Sequence, residues 1–204
     1  MKPIKPLLSE RFFYFQCMDH LVNPWKVISQ KNIYDNPWIG LTEFDVINPS
    51  GGPSIYGKIH FKNLAVGVVA LDHELNTYLV GQFRFVLNQY SWEIPEGGCP
   101  EGTDILDSAK RELQEETGLT AGNWQEILQM HMSNSVSDEH AIVYLATQLK
   151  QGAASPEDTE KLEIKKIKFE NVYELVKKGE ITDAISVVAI LKIKLMMLEN
   201  EIRQ

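Results

Sequence analysis

The chain has 204 residues, of which 44% are hydrophobic and 24% are charged, as in an ordinary globular protein of one or two domains. This composition excludes a disordered chain, a collagen-like chain and a coiled coil. The net charge of −8 disfavours bulk nucleic-acid binding, because contacts to phosphates need a basic surface.

The cysteine count favours a reducing compartment, and hydropathy indicates neither a targeting segment nor a membrane span. Two cysteines, Cys17 and Cys99, are too few for a disulfide framework. Prolines and charges interrupt the N-terminal stretch, and the most apolar late stretch, residues 184–198, is too short to span a bilayer. We therefore expect a soluble cytoplasmic protein with no membrane partner.

The first sixty residues differ in texture from the rest. Residues 1–24 are aromatic-rich and are interpreted as an N-terminal appendage. Residues 25–61 contain short β-like runs separated by turn signals, which predicts a small N-terminal β unit. Because this unit is too small to carry its own core, we expect it to contribute to a homodimer. Residues 62–204 are expected to form one larger domain.

The larger domain mixes strands and helices in chain order. Residues 95–102 are rich in glycine and proline and are expected to form neither a strand nor a helix. A helix should start at Thr103 or Asp104 and end at Gly118, and Asp183 should cap a final helix. The other expected elements are strands at 64–71, 77–85, 123–132, 139–148 and 163–169 and a helix at 170–178. This pattern predicts an α+β protein or an α/β/α sandwich.

Three carboxylates share one face of the first helix. At 3.6 residues per turn, Glu112, Glu115 and Glu116 fall within an arc of about 100°. Acidic neighbours near a helix C-terminus destabilise the helix, which favours a functional explanation. Carboxylate oxygens without a nearby histidine or thiolate suit Mg²⁺ or Mn²⁺. On this run alone, a solvated acidic face is the alternative.

The surrounding residues resolve this choice. The stretch from Gly97 to Leu119 resembles the Nudix box, G-x5-E-x7-R-E-U-x-E-E-x-G-U, in which U is a bulky aliphatic residue. It departs from the box at one position, where Thr103 stands in place of the first glutamate. Further segments resemble the branch of the family that hydrolyses ADP-ribose and nucleoside diphosphate sugars. These segments are residues 36–38, 81–84, 92–98 and 179–186.

The resemblance implies a Nudix fold, an α/β/α sandwich with a mixed sheet, preceded by a β unit that makes a homodimer. It also implies Mg²⁺-dependent, or Mn²⁺-dependent, cleavage of a diphosphate bond in a small nucleotide sugar. The expected metal ligands are Glu112, Glu115, Glu116 and the backbone carbonyl of Glu96.

Roles for other side chains follow from the same resemblance. Arg84 is expected to clamp a phosphate. The N-terminal unit is expected to contribute to the base pocket through an aromatic side chain, Trp25, Tyr34 or Trp38, of which Trp38 is the chosen candidate. Trp92 either lines the substrate cleft or packs in the core. The residues expected to act in catalysis are Glu116, Arg111, Glu139 and, as the general base in a loop at 151–161, Glu160.

Two other functions stay open. A Nudix-fold sensor would bind nucleotide sugars without hydrolysing them, but such sensors commonly lose the carboxylates that this chain retains. A dinucleotide or RNA-end pyrophosphohydrolase is the other alternative, although an RNA substrate would call for a basic groove, which the acidic composition disfavours.

Overall fold

The computed structural model describes residues 22–154 and 162–202, which form ten strands and three helices. The strands are β1 (Lys26–Asp35), β2 (Ile39–Ile47), β3 (Pro53–Phe61), β4 (Asn63–Ala70), β5 (Asn76–Arg84), β6 (Gln89–Glu93), β7 (Glu96–Pro100), β8 (Leu119–His131), β9 (His140–Gln151) and β10 (Glu163–Lys168). The helices are α1 (Ile105–Thr117), α2 (Phe169–Lys177) and α3 (Ala184–Leu198).

A four-stranded mixed sheet, in the order β7-β4-β9-β8, lies at the centre of the larger domain. Strands β4 and β9 run parallel, and the other neighbours are antiparallel. Both central strands are nearly continuous in apolar residues, because helices cover both faces of the sheet. One face packs on α1 and the other on α2 and α3, which confirms the predicted α+β class.

A second sheet, in the order β10-β5-β6, carries Arg84 at the end of its central strand. Helix α1 begins after Asp104, whose side chain accepts a hydrogen bond from the backbone N–H of Asp107. It ends at Gly118, which has a φ of 73° as expected for a glycine C-cap. Asp183 caps α3 in the same way as Asp104 caps α1, as the sequence predicts.

The expectation for residues 95–102 is wrong in part. Residues 96–100 form β7, which pairs antiparallel with β4 at the edge of the central sheet. Glycine and proline argue locally against a strand, but here the glycines serve close packing. A β-carbon at Gly97 would overlap the Glu112 carboxylate, and one at Gly98 would meet the side chain of Asn63.

The N-terminal strands form a separate antiparallel sheet in the order β1-β2-β3. A loop at residues 133–138, between β8 and β9, joins this sheet to the larger domain. Ile59 donates to the carbonyl of Val136 at 2.8 Å, and the Asp138 carboxylate contacts Lys58 and His60, both at 2.9 Å. The division at residue 61 stays a prediction, and residues 1–21 of the expected appendage lie outside the described residues.

Within residues 22–154 and 162–202, none of the helices combines the length and apolar character needed to cross a bilayer.

Candidate active site

Helix α1 presents Glu112 and Glu116 to strand β7. Ala109 and Leu113, on the adjoining face of the helix, are buried against the central sheet, which fixes the rotation of the helix. The Glu112 carboxylate occupies the space that a side chain at Gly97 would fill. Glycine at this position therefore allows the carboxylate to lie directly against the backbone of the loop.

Glu116 is buried, with 3% of its surface exposed. Its Oε2 accepts a hydrogen bond from the backbone N–H of Glu96 at 3.0 Å. Burial of a carboxylate is costly unless partners or a cation compensate it. The acidic run on α1 is therefore not a solvated face, and the alternative left open by the run alone is excluded.

Arg111 joins α1 to the same loop. Its guanidinium donates to Glu115 and to Glu112, both at 2.7 Å, and to the carbonyl of Gly98 at 2.9 Å. Although burial opposes it, the two carboxylates raise the pKa of Arg111 above its ordinary value. Glu115 is thus engaged by Arg111, on the outer side of Glu112.

Arg84 contacts the side chain of Glu96, whose backbone N–H is bonded to Glu116. Its Nε donates to the two oxygens of Glu93 at 2.9 and 3.1 Å, and one terminal nitrogen donates to Glu96 Oε1 at 2.9 Å. The hydrogen bond with Glu93 is the main cause that raises the pKa of Arg84. The side chain of Glu93 is 3% exposed, so the carboxylate of this ion pair is buried while the guanidinium still contacts solvent.

An acidic cluster surrounds this ion pair. Carboxylate oxygens of Glu93, Glu96 and Asp183 lie within 4.8 Å of one another, a spacing that could hold a metal ion. Among the described residues, the buried Oε2 of Glu96 has no hydrogen-bond partner. Burial first, and then the nearby charges of Asp183 and Glu93, raise the pKa of Glu96 well above its ordinary value. Excess negative charge is thus concentrated at this point.

Three adjoining cavities, of about 740, 420 and 520 Å³, form one cleft across these residues. The first contains Glu112 and Arg111, the second contains Arg84 and Glu139, and the third extends to the tip of the β5–β6 hairpin. The first two share Trp38, Asn63 and the two box glycines. The cleft is large enough for a nucleotide-sized ligand.

Trp38 overhangs this cleft from the N-terminal sheet. It is 67% exposed and borders two of the three cavities. The side-chain oxygen of Asn36 accepts from the backbone N–H groups of Trp38 and Ile39, at 2.8 and 2.7 Å, and this turn holds the indole in place.

The structure does not bring Trp92 to the same place. Alternation along β6 directs it to the face opposite Glu93 and Arg84. There it packs on the core cluster beneath α2 and α3, in edge-to-face contact with Tyr90, and lines none of the three cavities.

The other predicted catalytic residues have different outcomes. Glu139 precedes β9 and borders the cleft beside Arg84, where burial and then Asp183 raise its pKa. Glu160 lies outside the described residues. Thr103, which replaces the first box glutamate, donates to the carbonyl of Pro100 at 2.6 Å and lies 3.2 Å from the Cys99 thiol. These neutral contacts hold the loop to the start of α1.

Sequence reasoning missed Glu93 and Asp183 as members of the site. Asp183 is recognisable in the sequence as a helix cap, and this role by itself does not indicate that its carboxylate also lies near Glu96. Glu93 belongs to a segment that already resembles the family, so its acidic character within that segment was the available signal.

Comparisons with known proteins agree with this geometry. The NUDIX domain model matches residues 61–188, which is more than half of the chain. The chain belongs to the Nudix family. A second model, the nucleoside diphosphate sugar hydrolase N-terminal domain, matches residues 25–59.

Two curated Nudix relatives carry the same name. The chain is 32% identical to an ADP-ribose pyrophosphatase of Bacillus subtilis over 167 residues, which cover 81% of this chain and 90% of the relative. It is 33% identical to an ADP-ribose pyrophosphatase of Mycobacterium tuberculosis, over 62% of this chain and 61% of the relative. The resemblance seen in the sequence is thereby confirmed.

A solved structure described as an ADP compounds hydrolase superposes with a TM-score of 0.79. It covers 89% of this chain and 98% of that protein, at 15% identity, and it confirms the Nudix fold.

Proposed function

We propose that this Nudix protein hydrolyses the diphosphate bond of nucleoside diphosphate sugars, of the ADP-ribose, ADP-glucose or GDP-mannose type. The products are a nucleoside monophosphate and a sugar phosphate. The observation that carries the proposal is the convergence of Glu112 and Glu116 on the glycine loop at the wall of a nucleotide-sized cleft. The names of the two bacterial relatives and the match of the N-terminal model point to the same substrate class.

The residues of the cleft fit a hard divalent cation, Mg²⁺ or Mn²⁺. Among the described residues, those that line the three cavities include seven carboxylates and two guanidiniums, and none of them is a histidine or cysteine. Glu112 and Glu116 lie against the loop that carries the Glu96 carbonyl, and these three groups, with Glu115 farther out, would hold the ion. When bound, such an ion neutralises charge on the diphosphate and lowers the pKa of a water ligand.

The side chains around these ligands bind and orient the substrate. Arg84 presents a guanidinium to the second cavity, where bidentate hydrogen bonds to a phosphate are within its geometry. Trp38 offers an exposed ring for stacking on the base. Arg111 holds the carboxylates of Glu112 and Glu115 in place. The negative charges of Glu93 and Asp183 stabilise the guanidinium of Arg84 in its charged form.

Proton transfer requires a base outside the ligand set, because carboxylates engaged by a cation are poor proton acceptors. Glu160, which lies between β9 and β10 in the chain and outside the described residues, is the proposed base. Glu139 is the second candidate, because it borders the cleft and its raised pKa makes its carboxylate a stronger proton acceptor than an ordinary glutamate.

The decisive experiment is a product assay. Purified protein is incubated with ADP-ribose, ADP-glucose, GDP-mannose, UDP-glucose, NADH and diadenosine polyphosphates, in the presence of Mg²⁺, Mn²⁺ or a chelator. We expect metal-dependent release of a nucleoside monophosphate from at least one diphosphate sugar. Binding of these sugars without turnover would instead support a sensor. Preferential cleavage of the dinucleotides would support a dinucleotide pyrophosphohydrolase.

We also propose a homodimer built on the N-terminal sheet. Every residue of β1 is exposed, although the strand contains Val27, Ile28, Ile33 and Tyr34. Several exposed aliphatic and aromatic side chains on one strand indicate an interaction surface. A second copy of the chain is the partner that the family resemblance implies.

A further inference from the structure

Asn63 lies where two of the three cavities of the cleft meet. Asn63 is the first residue of β4 and pairs with Pro100 of β7. It borders both the cavity that contains Glu112 and the cavity that contains Arg84. Its carboxamide nitrogen lies 2.8 Å from the position that a β-carbon of Gly98 would take, so it packs directly on the glycine loop.

This carboxamide is uncommitted. It makes no hydrogen bond to another residue within 22–154 or 162–202. A half-buried amide that faces a cleft without a protein partner retains two donors and one acceptor for a ligand. Neither donor is needed to hold the fold.

The charges around Asn63 make a neutral donor valuable. Within the part of the chain that the structure describes, the cations that border the cleft are Arg84 and Arg111, and each is already paired with two carboxylates. A diphosphate that enters the cleft therefore meets guanidiniums whose charge is largely offset. Oxygens that are not covered by metal or by Arg84 still require a donor, because an anion left without partners loses affinity.

We propose that Asn63 donates a hydrogen bond to the diphosphate and holds it between the Glu112 side and the Arg84 side of the cleft. This inference rests on the proposed function, which it deepens by naming a further substrate-binding residue. A neutral amide adds no repulsion toward the carboxylates and no competing cation for them. It thus binds an anion at a point where a lysine would pair with the glutamates instead.

Two variants of Asn63 test the proposal. Asn63→Ala removes the donor, and Asn63→Asp keeps the shape but replaces the donor with a negative acceptor. We expect kcat/KM for ADP-ribose to fall about tenfold in Asn63→Ala, the usual loss for a hydrogen bond to a charged group. Asn63→Asp should lose more, because its carboxylate also repels the phosphates. Matched controls are Asn123→Ala and Asn123→Asp, on the exposed surface of β8, which should retain wild-type kcat/KM within about twofold.

A second measurement separates substrate binding from loop positioning. The Mg²⁺ concentration for half-maximal activity should stay unchanged in Asn63→Ala, because Asn63 is not among the proposed ligands. A raised Mg²⁺ requirement with unchanged affinity for substrate would overturn the proposal, since Asn63 would then act through Gly98. Wild-type values of both quantities in both variants would overturn it as well.

Binding of α,β-methylene ADP-ribose, measured by calorimetry, keeps this test separate from turnover. If the wild type binds the analogue and Asn63→Ala binds it equally well, the role of Asn63 is refuted while the proposed function stands. If the wild type neither binds the analogue nor hydrolyses the panel, the proposed function and the role of Asn63 fall together. Weaker binding in Asn63→Ala, with an unchanged melting temperature, is the expected result.

Discussion

Glu116 shows how one buried carboxylate links the helix to the loop. The side chain is buried on α1, and its oxygen accepts from the backbone of Glu96, whose own carboxylate contacts Arg84. Because these groups are in direct contact, a cation held by Glu116 would lie close to the guanidinium that faces the second cavity. The same short loop thus contacts both α1 and Arg84.

Glu116→Gln should lower kcat by at least about a hundredfold, because a bound metal contributes several kcal/mol of transition-state stabilisation. The amide oxygen of glutamine can still accept from the Glu96 N–H, so we expect the melting temperature to change little. Steady-state kinetics and a thermal melt measure the two effects. Glu115→Gln should lose less, because Glu115 is engaged by Arg111, and Glu199→Gln at the exposed end of α3 is the control. An active Glu116→Gln enzyme would refute the metal-site assignment.

Single substitutions identify the general base. Glu160→Gln should reduce kcat far more than KM, because a base acts in the transition state. Glu157→Gln should be nearly silent, and Asp158→Asn should be intermediate. The same kinetics on Glu139→Gln complete the set. Wild-type kcat in Glu160→Gln together with loss of activity in Glu139→Gln would transfer the role to Glu139.

At the scale of elements, β7 and α1 meet at Gly97. The strand can approach the helix closely because position 97 has no β-carbon, and the Glu112 carboxylate fills the space that results. Gly97→Ala should therefore displace the carboxylate or the strand and lower kcat about a hundredfold, the cost of a displacement of about 1 Å in an active site. Gly57→Ala is the matched control, because a β-carbon on that strand residue would meet no atom within 4 Å. Equal activity of the two variants would contradict the close packing.

The loop at 133–138 ties the N-terminal sheet to the strand that follows Glu139. Burial opposes ionisation of Asp138, but hydrogen bonds from Lys58 and His60 outweigh it and lower the pKa of the carboxyl to about 2. A lowered folded-state pKa means that the stabilisation is present above the unfolded value of 3.8 and is lost as the pH falls toward about 2.

Asp138→Asn should consequently melt at a lower temperature than the wild type at about pH 7, where the ionised carboxylate of the wild type is fully paired. The difference between the two proteins should shrink as the pH falls below 3.8. Thermal melts across this range measure the effect. Glu174→Gln, which removes an ion pair on the surface of α2, should show little difference at any pH. A difference for Asp138→Asn that persists below pH 2 would assign the effect to packing instead of charge.

For the whole molecule, the exposed apolar surface is the feature that the described chain leaves unexplained. It comprises β1 and also the tip of the β5–β6 hairpin, where Phe85 and Val86 are 93% and 91% exposed. We expect light scattering after size-exclusion chromatography to give twice the monomer mass of 23.2 kDa at micromolar concentration.

Ile28→Glu should shift this mass toward the monomer, because it places a charge among the exposed apolar side chains of β1. Leu191→Glu, which introduces the same charge at an exposed position of α3, is the control. A monomeric wild type would count against both the dimer and a base pocket shared between copies.

The sequence by itself determined the features that depend on local patterns. The helix from Asp104 to Gly118, the α+β class and the carboxylate face follow from caps, periodicity and spacing, which act over a few residues. Motif spacing also indicated the Nudix family and directed attention to Arg84 and Glu139.

The tertiary structure alone decided what depends on residues distant in the chain. Gly97 and Gly98 belong to a strand because their backbone pairs with β4, and the absence of β-carbons leaves room for Glu112 and Asn63, which no local propensity reports. Trp92 lies on the face opposite Arg84 because the register of β6 against β5 sets its direction. Asp183 approaches Glu93 and Glu96 because α3 begins at the end of the cleft, about ninety residues later in the chain. Such contacts follow from how the elements pack and not from any short segment.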